Sequence, residues 1–537
     1  MTDESSDAIP VVDLFAGPGG LGEGFASCHH LSGGNDEPVF KVALSVEKDK
    51  YAHETLLIRS FVRKFAGDPP PEYDEFLAGG GRKGLEDLFE AYPEQAAAAQ
   101  KEARHLTLGS EDVHQEVLDR IHSVTWNGQP WVLVGGPPCQ AYSIAGRSRN
   151  KGKQDYRPED DERHFLYREF LKVLAETAPP VFLLENVKGL VSATVKDQRI
   201  FEQMLRDLQH PVQTLPEVEL RDDLSYEVLP VISNGAEQQT LLDASREEDL
   251  QRYVVHMENY GIPQTRHRLF LLGVQSDLAP ERFSSLEPAD DQIPVERVID
   301  GLPELRSGLS RREDSFESWV EVLQRLPERA WFPEDIDLKT TDSRVSQKIR
   351  EIVGQPEELP GGRGGNYLSV TPEADFAREW YLRSEPDTVL NHEARAHMDE
   401  DLHRYLFAAV YASVYESSPV LGDFPKQLLP NHKSVDQALE EGGYFSDRFR
   451  VQRRGRPATT VTSHIAKDGH YYIHYDPKQC RSLTVREAAR IQTFPDDYFF
   501  AGPRTAQYTQ VGNAVPPLLA ARIAKRIAEG LEIQELT

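Results

Sequence analysis

The 537-residue sequence has little cysteine and no long apolar run. Only three cysteines occur, Cys28, Cys139 and Cys480, which excludes a disulfide-stapled scaffold and favours a reducing, intracellular compartment. No apolar stretch approaches the ~20 residues that a membrane-spanning helix needs. The first residues, Met-Thr-Asp-Glu-Ser-Ser-Asp, are too polar for a secretory signal. We therefore expect a cytoplasmic protein without a membrane anchor.

Basic residues are also scarce relative to acidic ones. The chain has 60 Lys and Arg against 88 Asp and Glu, a net charge of -28. This balance counts against nucleic-acid binding over the whole surface, because contacts to phosphates supply most of the non-specific affinity. Basic residues do cluster locally, at 147–157 and 448–456. A nucleic-acid partner would be confined to such clusters, and a partner of another kind with an acidic face remains an alternative.

A glycine-rich turn follows the first predicted strand, residues 9–15. The pattern Gly17-x-Gly19-x-x-Gly22 fits the dinucleotide-binding fingerprint, in which glycines let the backbone approach a ligand closely. The next predicted strand, 42–47, ends in Glu47, and an acid there suits ribose hydroxyls. A tight turn without a ligand, and an exposed surface acid, are the structural alternatives.

A cysteine follows a hard break in the chain. Residues 131–134 read as a buried strand, and Gly135-Gly-Pro-Pro138 ends it before Cys139. A cysteine on such a turn is placed to face a cleft, and a basic stretch follows it. We interpret Cys139 as a nucleophile that attacks a nucleobase while the basic stretch closes over nucleic acid. The alternative is a buried structural cysteine beside a solvated loop.

Polar residues flank two further predicted strands. The strand 181–184 ends in Glu185-Asn-Val187, and Gln264, Arg266 and Arg268 precede an apolar strand. Both arginines point to one face if that segment is extended. A softer prediction is a third strand over 106–113, with Asp112 near its end.

The later part of the chain gives weaker patterns. His392, His397 and His403 are spaced by five and six residues, which does not fit a zinc-protease helix, so we interpret them as surface or capping histidines. Residues 456–475 are predicted as strands. A helix is predicted over 483–494 with a capping box, then a loop at 512–517 and a final helix over 518–531.

Six motifs occur in a fixed order along the chain: Asp13-Leu-Phe-Ala-Gly-Pro-Gly-Gly20, Gly136-Pro-Pro-Cys-Gln140, Glu185-Asn-Val187, Gln264-Thr-Arg-His-Arg268, Arg481-x-Leu-Thr-x-x-Glu-x-x-Arg-Ile-Gln492 and Gly512-Asn-Ala-Val-Pro516. Together they resemble the DNA (cytosine-5-)-methyltransferase family of the prokaryotic restriction-modification type. The resemblance covers about 1–58, 106–210, 253–303 and 456–537.

The resemblance implies an α/β fold. We expect a Rossmann-like S-adenosylmethionine-dependent methyltransferase fold, with a mostly parallel sheet and helices on both faces, and a smaller, irregular target-recognition domain. The predicted division is a catalytic domain at 1–303, with insertions near 60–105 and 211–250, a target-recognition domain at 304–480, and a segment at 481–537 that returns to the catalytic domain.

The resemblance also implies roles for single residues. The catalytic residues would be Cys139, Glu185, Arg266 and Arg268. S-adenosyl-L-methionine would be held by Phe15, Gly17, Gly19, Gly20, Glu47, Asp112, Asn513 and Val515. DNA would be contacted by Gln140, Ser143, Arg147, Arg149, Arg453 and Arg454. The implied partners are double-stranded DNA and a cognate restriction endonuclease or other defence-system proteins, with the enzyme a monomer and no metal implied.

Three other functions fit part of the sequence. A nicotinamide-dependent oxidoreductase would use the glycine turn and Glu47, but it leaves the Cys139, Glu185 and Arg268 motifs without roles. An RNA (tRNA) cytosine-5 methyltransferase shares the motifs but usually lacks a large recognition insert. A non-catalytic DNA-binding relative is disfavoured by the intact Cys139, Glu185 and Arg268.

Overall fold

The computed structural model describes most of the chain. The described residues are 8–29, 37–65, 67–81, 84–125, 129–138, 163–191, 194–195, 198–215, 224–233, 250–328, 343–431, 435, 446–467 and 469–531. The chain packs as two compact units. Unit 1 comprises Met1–Gly67, Phe89–Asp291 and Ala514–Thr537, and unit 2 comprises Asp68–Leu88 and Gln292–Asn513.

The strands of the described residues are short outside the main sheet. In chain order they are β1 (Ile9–Leu14), β2 (Phe40–Glu47), β3 (Ala103–His105), β4 (Val132–Gly135), β5 (Val181–Val187), β6 (Thr194–Val195), β7 (Gln198–Arg199), β8 (Tyr226–Leu229), β9 (Val254–His256), β10 (Gln264–Thr265), β11 (His267–Gln275), β12 (Gly308–Leu309), β13 (Gly364–Leu368), β14 (Val389–Glu393), β15 (Ala396–His397) and β16 (Ala458–Thr459).

The helices range from a single turn to 17 residues. They are α1 (Gly20–Ala26), α2 (Lys50–Val62), α3 (Pro71–Ala78), α4 (Leu85–Ala91), α5 (Pro93–Glu102), α6 (Glu111–Thr125), α7 (Arg163–Thr177), α8 (Ile200–Gln209), α9 (Pro211–Thr214), α10 (Glu296–Ile299), α11 (Phe316–Glu328), α12 (Ser343–Gly354), α13 (Arg378–Tyr381), α14 (Asp399–Tyr415), α15 (Val485–Ile491), α16 (Arg504–Asn513) and α17 (Pro517–Gly530). Within the described ranges, no helix is long and apolar enough to cross a membrane.

The main sheet of unit 1 is mostly parallel. Its order is β3-β2-β1-β4-β5-β11-β8, with β9 also paired to β11. The strands β3, β2, β1, β4 and β5 are parallel to one another. Strand β11 runs antiparallel to β5, β8 and β9. The strand order reverses between β1 and β4. Because ligands of open α/β sheets bind at such a reversal, the carboxyl ends of β1 and β4 mark the place to look for a site.

Alternate residues of the strands enter two separate cores. Val12 and Leu14 of β1 pack in one core with Phe170 of α7. Val11 packs in the other core with Ile523 of α17. Since each strand sends its side chains to both faces with a period of two, the sheet must be covered on both sides. The predicted Rossmann-like methyltransferase architecture is confirmed.

The strand predicted over 106–113 is wrong. The third strand is β3, Ala103–His105, and α6 begins at Glu111, so Asp112 lies exposed in the first turn of a helix. Val117, Leu118 and Ile121 are buried on one side of α6 at helical spacing. Acidic residues in the first turn are favoured by the helix dipole, which explains the acids at this position.

The strands predicted over 456–475 are also largely wrong. In this range the described residues form β16, a 3₁₀ turn at Ser463–Ala466 and isolated β-bridges at Ile473. The Tyr472 hydroxyl donates to the Thr460 carbonyl oxygen at 3.1 Å and accepts from the Thr462 amide at 3.1 Å. A side chain thus satisfies backbone groups that a strand ladder would otherwise satisfy.

Unit 2 is held together partly by buried ion pairs. Arg481 Nη2 lies 2.6 Å from Glu487 Oε1, with both side chains almost fully buried. The same Glu487 accepts from the Thr484 amide at 2.7 Å and donates its own amide to Thr484 Oγ1, so the predicted capping box of α15 is confirmed. Residues 481–513 therefore pack in unit 2, and residues 514–531 pack in unit 1. Packing units are not functional domains, and the three-part division at 303 and 480 stays a prediction.

Unit 1 depends on a close approach of α1 and α17. A Cβ atom added at Gly24 would lie 2.4 Å from Ala520 Cβ and 2.5 Å from the Pro517 carbonyl oxygen. We expect Gly24→Ala to lower the free energy of unfolding by about 1–3 kcal/mol, because the helices must separate to admit the methyl group. Urea denaturation measures this effect. Gly354→Ala is the matched control, since nothing lies within 4 Å of the added Cβ at the end of α12. Equal stability of the two variants would contradict the prediction.

Candidate active site

The turn after β1 has a constrained backbone. Phe15 has φ 59°, Gly17 has φ 58° and Gly19 has φ 93°, all in the left-handed region. A bulky residue such as Phe15 rarely adopts this conformation, and such strain clusters at functional sites. The Gly17 amide donates to Glu47 Oε2 at 2.8 Å. The other oxygen of Glu47 accepts from the Lys48 and Asp49 amides, so this carboxylate fixes the ends of β1 and β2 together.

The C-terminal segment closes against this turn. A Cβ atom added at Gly20 would lie 2.1 Å from the Val515 carbonyl oxygen, so only glycine fits there. Val515 is 8% exposed and packs in a core of unit 1. Asn513 is exposed at the last residue of α16, in unit 2. The predicted loop at 512–517 thus begins later, because α16 includes Gly512 and Asn513.

Asp13 is a buried acid directly beneath the glycine turn. Its Oδ2 accepts from the Gly22 amide at 3.3 Å, and its Oδ1 is buried with no hydrogen-bond partner among the described residues. Burial raises the pKa of Asp13 to about 8, and the negative charge of Glu47 adds to this, whereas the bond from Gly22 opposes it. Asp13 therefore carries a proton at neutral pH.

The turn after β4 is equally tight. A Cβ atom at Gly135 would lie 2.6 Å from the Leu14 carbonyl oxygen, and one at Gly136 would lie 3.1 Å from Glu185 Oε2. Asn186 Nδ2 donates to the Pro137 carbonyl oxygen at 3.2 Å. The Gly-Pro-Pro turn is therefore held against the Glu-Asn-Val motif at the end of β5.

Several predicted site residues follow this turn. Cys139, Gln140, Ser143, Arg147 and Arg149 lie outside the described residues. Their predicted roles are therefore untested by the structure.

Glu185 and Arg268 form a partly buried ion pair. Arg268 Nε lies 3.2 Å from Glu185 Oε1, and the side chains are 17% and 14% exposed. Burial raises the pKa of Glu185, although the positive charges of Arg268 and Arg266 oppose the change. Burial likewise lowers the pKa of Arg268, with Glu185 opposing it. A carboxyl group in this environment holds a proton more readily than an exposed glutamate does.

Arg266 has different partners from Arg268. It is 1% exposed, and its Nη2 donates to the Ala514 carbonyl oxygen at 2.9 Å. The Arg266 amide donates to the Gln264 carbonyl oxygen at 2.9 Å. This hydrogen bond between residues two positions apart forms a tight turn that separates β10 from β11. The segment is therefore not continuously extended, which was the condition for both arginines to share one face. Arg266 links the β11 side of the site to the segment that carries Val515.

The predicted basic residues of unit 2, Arg453 and Arg454, have bonding partners within that unit. Arg453 Nη1 donates to the Glu416 carbonyl oxygen at 2.8 Å. Arg454 pairs with Asp300 at 3.0 Å and lies over the Tyr475 ring, yet its side chain remains 61% exposed. Contact of these two residues with DNA stays a prediction.

The three histidines of unit 2 are core residues. His392, His397 and His403 are 0%, 5% and 1% exposed, so the prediction of surface positions is wrong. His392 Nδ1 lies 2.8 Å from Thr484 Oγ1, and His392 Nε2 lies 2.9 Å from the Pro303 carbonyl oxygen. His403 Nε2 lies 2.8 Å from the Val322 carbonyl oxygen. Hydrogen bonds inside the core allow these histidines to be buried. The spacing of the histidines in the sequence does not predict such bonds.

Three features of the site are not predicted from the sequence. The first is the burial of the Asp13 carboxyl group, although an acid inside an apolar strand is a signal of such burial. The bond from Asn186 to Pro137 spans 49 residues and has no local signal. Likewise, the proximity of His256, Glu258 and His267 depends on strand pairing.

Comparison with known proteins shows the family of the chain. Residues 99–211 and 249–529 match the family described as C-5 cytosine-specific DNA methylase. The chain is 30% identical to the Type II methyltransferase M.Bpa9945I of Bacillus paralicheniformis, over 97% of this chain and 98% of that protein. It is 26% identical to the Type II methyltransferase M.DdeI of Desulfomicrobium norvegicum, over 74% and 72% of the two chains. It is also 26% identical to the DNA (cytosine-5-)-methyltransferase M.ApeKI of Aeropyrum pernix, over 75% and 81%.

The chain therefore belongs to the C-5 cytosine-specific DNA methylases, enzymes that methylate carbon 5 of cytosine in DNA. The family predicted from the six motifs is confirmed. Neither the oxidoreductase nor the RNA methyltransferase is favoured by these relatives.

The buried acid beneath the glycine turn predicts a pH-dependent stability. Asp13 titrates near 4 when unfolded and near 8 when folded. Its contribution is complete below the unfolded pKa and is lost as pH rises through the folded pKa. Relative to Asp13→Asn, the wild-type protein should lose up to about 1.4 kcal/mol per pH unit between about pH 4 and pH 8.

Urea denaturation of both proteins at pH 5, 6, 7 and 8 measures this loss. Asp119→Asn, at an exposed position of α6, is the control and should follow the wild-type pH dependence. A constant difference in stability between wild type and Asp13→Asn across this range would refute the assignment.

Proposed function

We propose that this enzyme transfers a methyl group from S-adenosyl-L-methionine to carbon 5 of a flipped-out cytosine in a specific duplex DNA sequence. The observation that carries the proposal is the buried Glu185–Arg268 pair beside the Gly-Pro-Pro turn that Asn186 holds. The relatives named type II methyltransferases support a role as the modification arm of a restriction-modification or phage-defence system.

The residues around the first turn fit this cofactor. Close backbone approaches at Gly20, the strained Phe15 and the acid Glu47 make a tight, polar-edged cradle. The unpartnered Oδ1 of Asp13 is a buried acceptor or donor beneath it. When bound, S-adenosyl-L-methionine supplies an electrophilic methyl group on a sulfonium sulfur.

We assign the cofactor contacts to residues at this edge of the sheet. Glu47 would hold the ribose hydroxyls, and Phe15, Gly17, Gly19, Gly20 and Val515 would line the cleft. We also assign a cofactor contact to Asn513. Asp112 has the least support, since its exposed place on α6 differs from the strand end on which its cofactor-binding role was predicted.

Cytosine carbon 5 is a poor nucleophile, so the proposed chemistry begins at carbon 6. The Cys139 thiolate adds to carbon 6, and the electron pair of the 5,6 double bond moves onto the ring. Glu185, whose pKa is raised by burial, donates a proton to N3 and relieves the negative charge. Carbon 5 would then take the methyl group, and the sulfonium sulfur would be left as a neutral thioether. Glu185 takes back the N3 proton, and loss of the carbon-5 proton to a base or to water restores the 5,6 double bond as the Cys139 sulfur leaves as a thiolate.

The two arginines have separate proposed roles. Arg268 holds the Glu185 carboxyl in place, and we assign its guanidinium group to a contact with the oxygen of the base. Arg266 acts as a positioning residue, because its guanidinium group bonds to Ala514 next to Val515.

Access to carbon 6 requires that the base leave the helical stack. Gln140, Ser143, Arg147 and Arg149 follow Cys139 in the chain, and we assign them to contacts with the flipped nucleotide and its phosphates. Arg453 and Arg454 supply contacts from unit 2. Concentrating basic groups in these segments reconciles DNA binding with a net charge of -28. The enzyme would act as a monomer in the cytoplasm, where a cognate endonuclease would cut unmethylated sites.

The proposed roles of Cys139 and Glu185 predict distinct losses. Cys139→Ser should abolish incorporation of tritiated methyl groups into duplex DNA, yet bind S-adenosyl-L-methionine with unchanged affinity in calorimetry.

Glu185→Gln should lower kcat by about 10²–10⁴, because the amide cannot donate a proton in the same way. Glu227→Gln, at an exposed position of β8, should retain full activity. Full activity of Cys139→Ser, or methylation of tRNA in preference to duplex DNA, would overturn the proposal.

A further inference from the structure

Two histidines and a glutamate lie together in unit 1, beside the strand that carries Arg268. His256 of β9 pairs across the sheet with His267 of β11, and their rings stack with centroids 3.8 Å apart. Glu258 follows two residues after His256, in a 3₁₀ turn at Met257–Tyr260, and its Oε1 lies 2.8 Å from His267 Nε2. One ligand atom from each residue lies within 4.8 Å of the other two.

The glutamate is buried and only half satisfied. Glu258 is 7% exposed, and its Oε2 has no hydrogen-bond partner among the described residues. A buried carboxylate oxygen without a partner is costly, because it has lost its hydration without replacement. A cation beside it would remove that cost. An anion such as a phosphate would instead be repelled by the carboxylate.

The donor set selects the kind of cation. Two imidazoles and one carboxylate are a known three-ligand set for zinc, which leaves a fourth position for water. Donor atoms on a tetrahedral zinc lie about 3.3 Å apart, given bonds of about 2.0–2.1 Å. His256 is exposed, so an ion can reach its ring from solvent. We propose that His256, Glu258 and His267 form a binding site for a divalent transition-metal ion of the zinc type.

A neighbouring lysine competes with the ion. Lys188 Nζ lies 3.2 Å from His267 Nδ1, on the other side of the ring from Glu258. When Nε2 of His267 binds a metal, Nδ1 must carry the proton and can no longer accept from the Lys188 ammonium group. Metal binding would therefore release this exposed side chain, which directly follows the Glu-Asn-Val motif.

The site would fix the turn between β9 and β11. The Met257 amide donates to the Arg266 carbonyl oxygen at 3.1 Å, so the same turn holds the backbone of a proposed positioning residue. Because the metal ligands do not include Cys139, Glu185, Arg266 or Arg268, metal binding and methyl transfer are separately measurable.

Calorimetric titration of zinc chloride into the chelator-stripped full-length protein tests the site. We expect one equivalent to bind, and His256→Ala and Glu258→Gln to lose about tenfold or more in affinity, since each lacks one of three protein ligands. Lys188→Ala should bind several-fold more tightly, because a competing positive charge is gone. His122→Ala, at an exposed histidine of α6, is the matched control and should bind as the wild type does.

Cobalt substitution identifies the donor atoms independently. Nitrogen and oxygen ligands give a visible spectrum without a sulfur-to-metal charge-transfer band. The absence of saturable zinc binding, unchanged binding in His256→Ala, or a sulfur band that places the ion on a cysteine would each overturn the proposal.

Discussion

The close approach of backbone to backbone at the edge of the main sheet is the constraint on which the rest of unit 1 depends. Gly20 lies against the Val515 carbonyl oxygen, and Gly24 lies against α17. Gly20 and Val515, almost 500 positions apart in the sequence, therefore pack against each other beside the turn that follows β1. The same contact places α17 on one face of the sheet and completes its core. A side chain at either glycine would separate the two ends of the chain from each other.

Burial of acidic groups gives this edge its chemistry. Asp13 lies near the end of β1 and Glu185 near the end of β5, two parallel strands with β4 between them. Removal from water raises the pKa of both carboxyl groups. Their neighbours differ, however. Asp13 has a backbone amide and no partner for its second oxygen, whereas Glu185 has the guanidinium group of Arg268. Two protonatable groups thus flank the strand reversal, one at the proposed cofactor turn and one at the proposed base.

The sequence predicts the parts of unit 1 that depend on local pattern. Short apolar runs, with the glycine turns or polar motifs that follow them, predict β1, β2, β4 and β5 to within a few residues. In unit 2, a capping box predicts the start of α15. The family follows from the order of the six motifs. Asp112 and the Thr-rich stretch at 456–475 were predicted wrongly, because helix periodicity and side-chain bonds to the backbone outweighed the local strand pattern.

Long-range contacts account for what the sequence does not predict. The burial of three histidines in unit 2 and the bond of Arg266 to Ala514 join segments distant in sequence. The grouping of His256, Glu258 and His267 depends on the pairing of β9 with β11. No local pattern encodes such contacts. Arg266 and Arg268 show the same limit. Alternation along an extended strand predicts that both side chains point to one face, but the hydrogen bond from the Arg266 amide to the Gln264 carbonyl oxygen interrupts the strand, and the two arginines have different partners.

Bisulfite sequencing of DNA from cells that express the enzyme tests the central claim most directly. The account predicts protected cytosines at one recurring short sequence with the wild-type enzyme and none with Cys139→Ser. It also predicts 5-methylcytosine as the modified base on mass analysis of the digested DNA. Unprotected DNA from cells with active enzyme, or a methyl group on an exocyclic nitrogen, would contradict a mechanism through carbon 6 of cytosine.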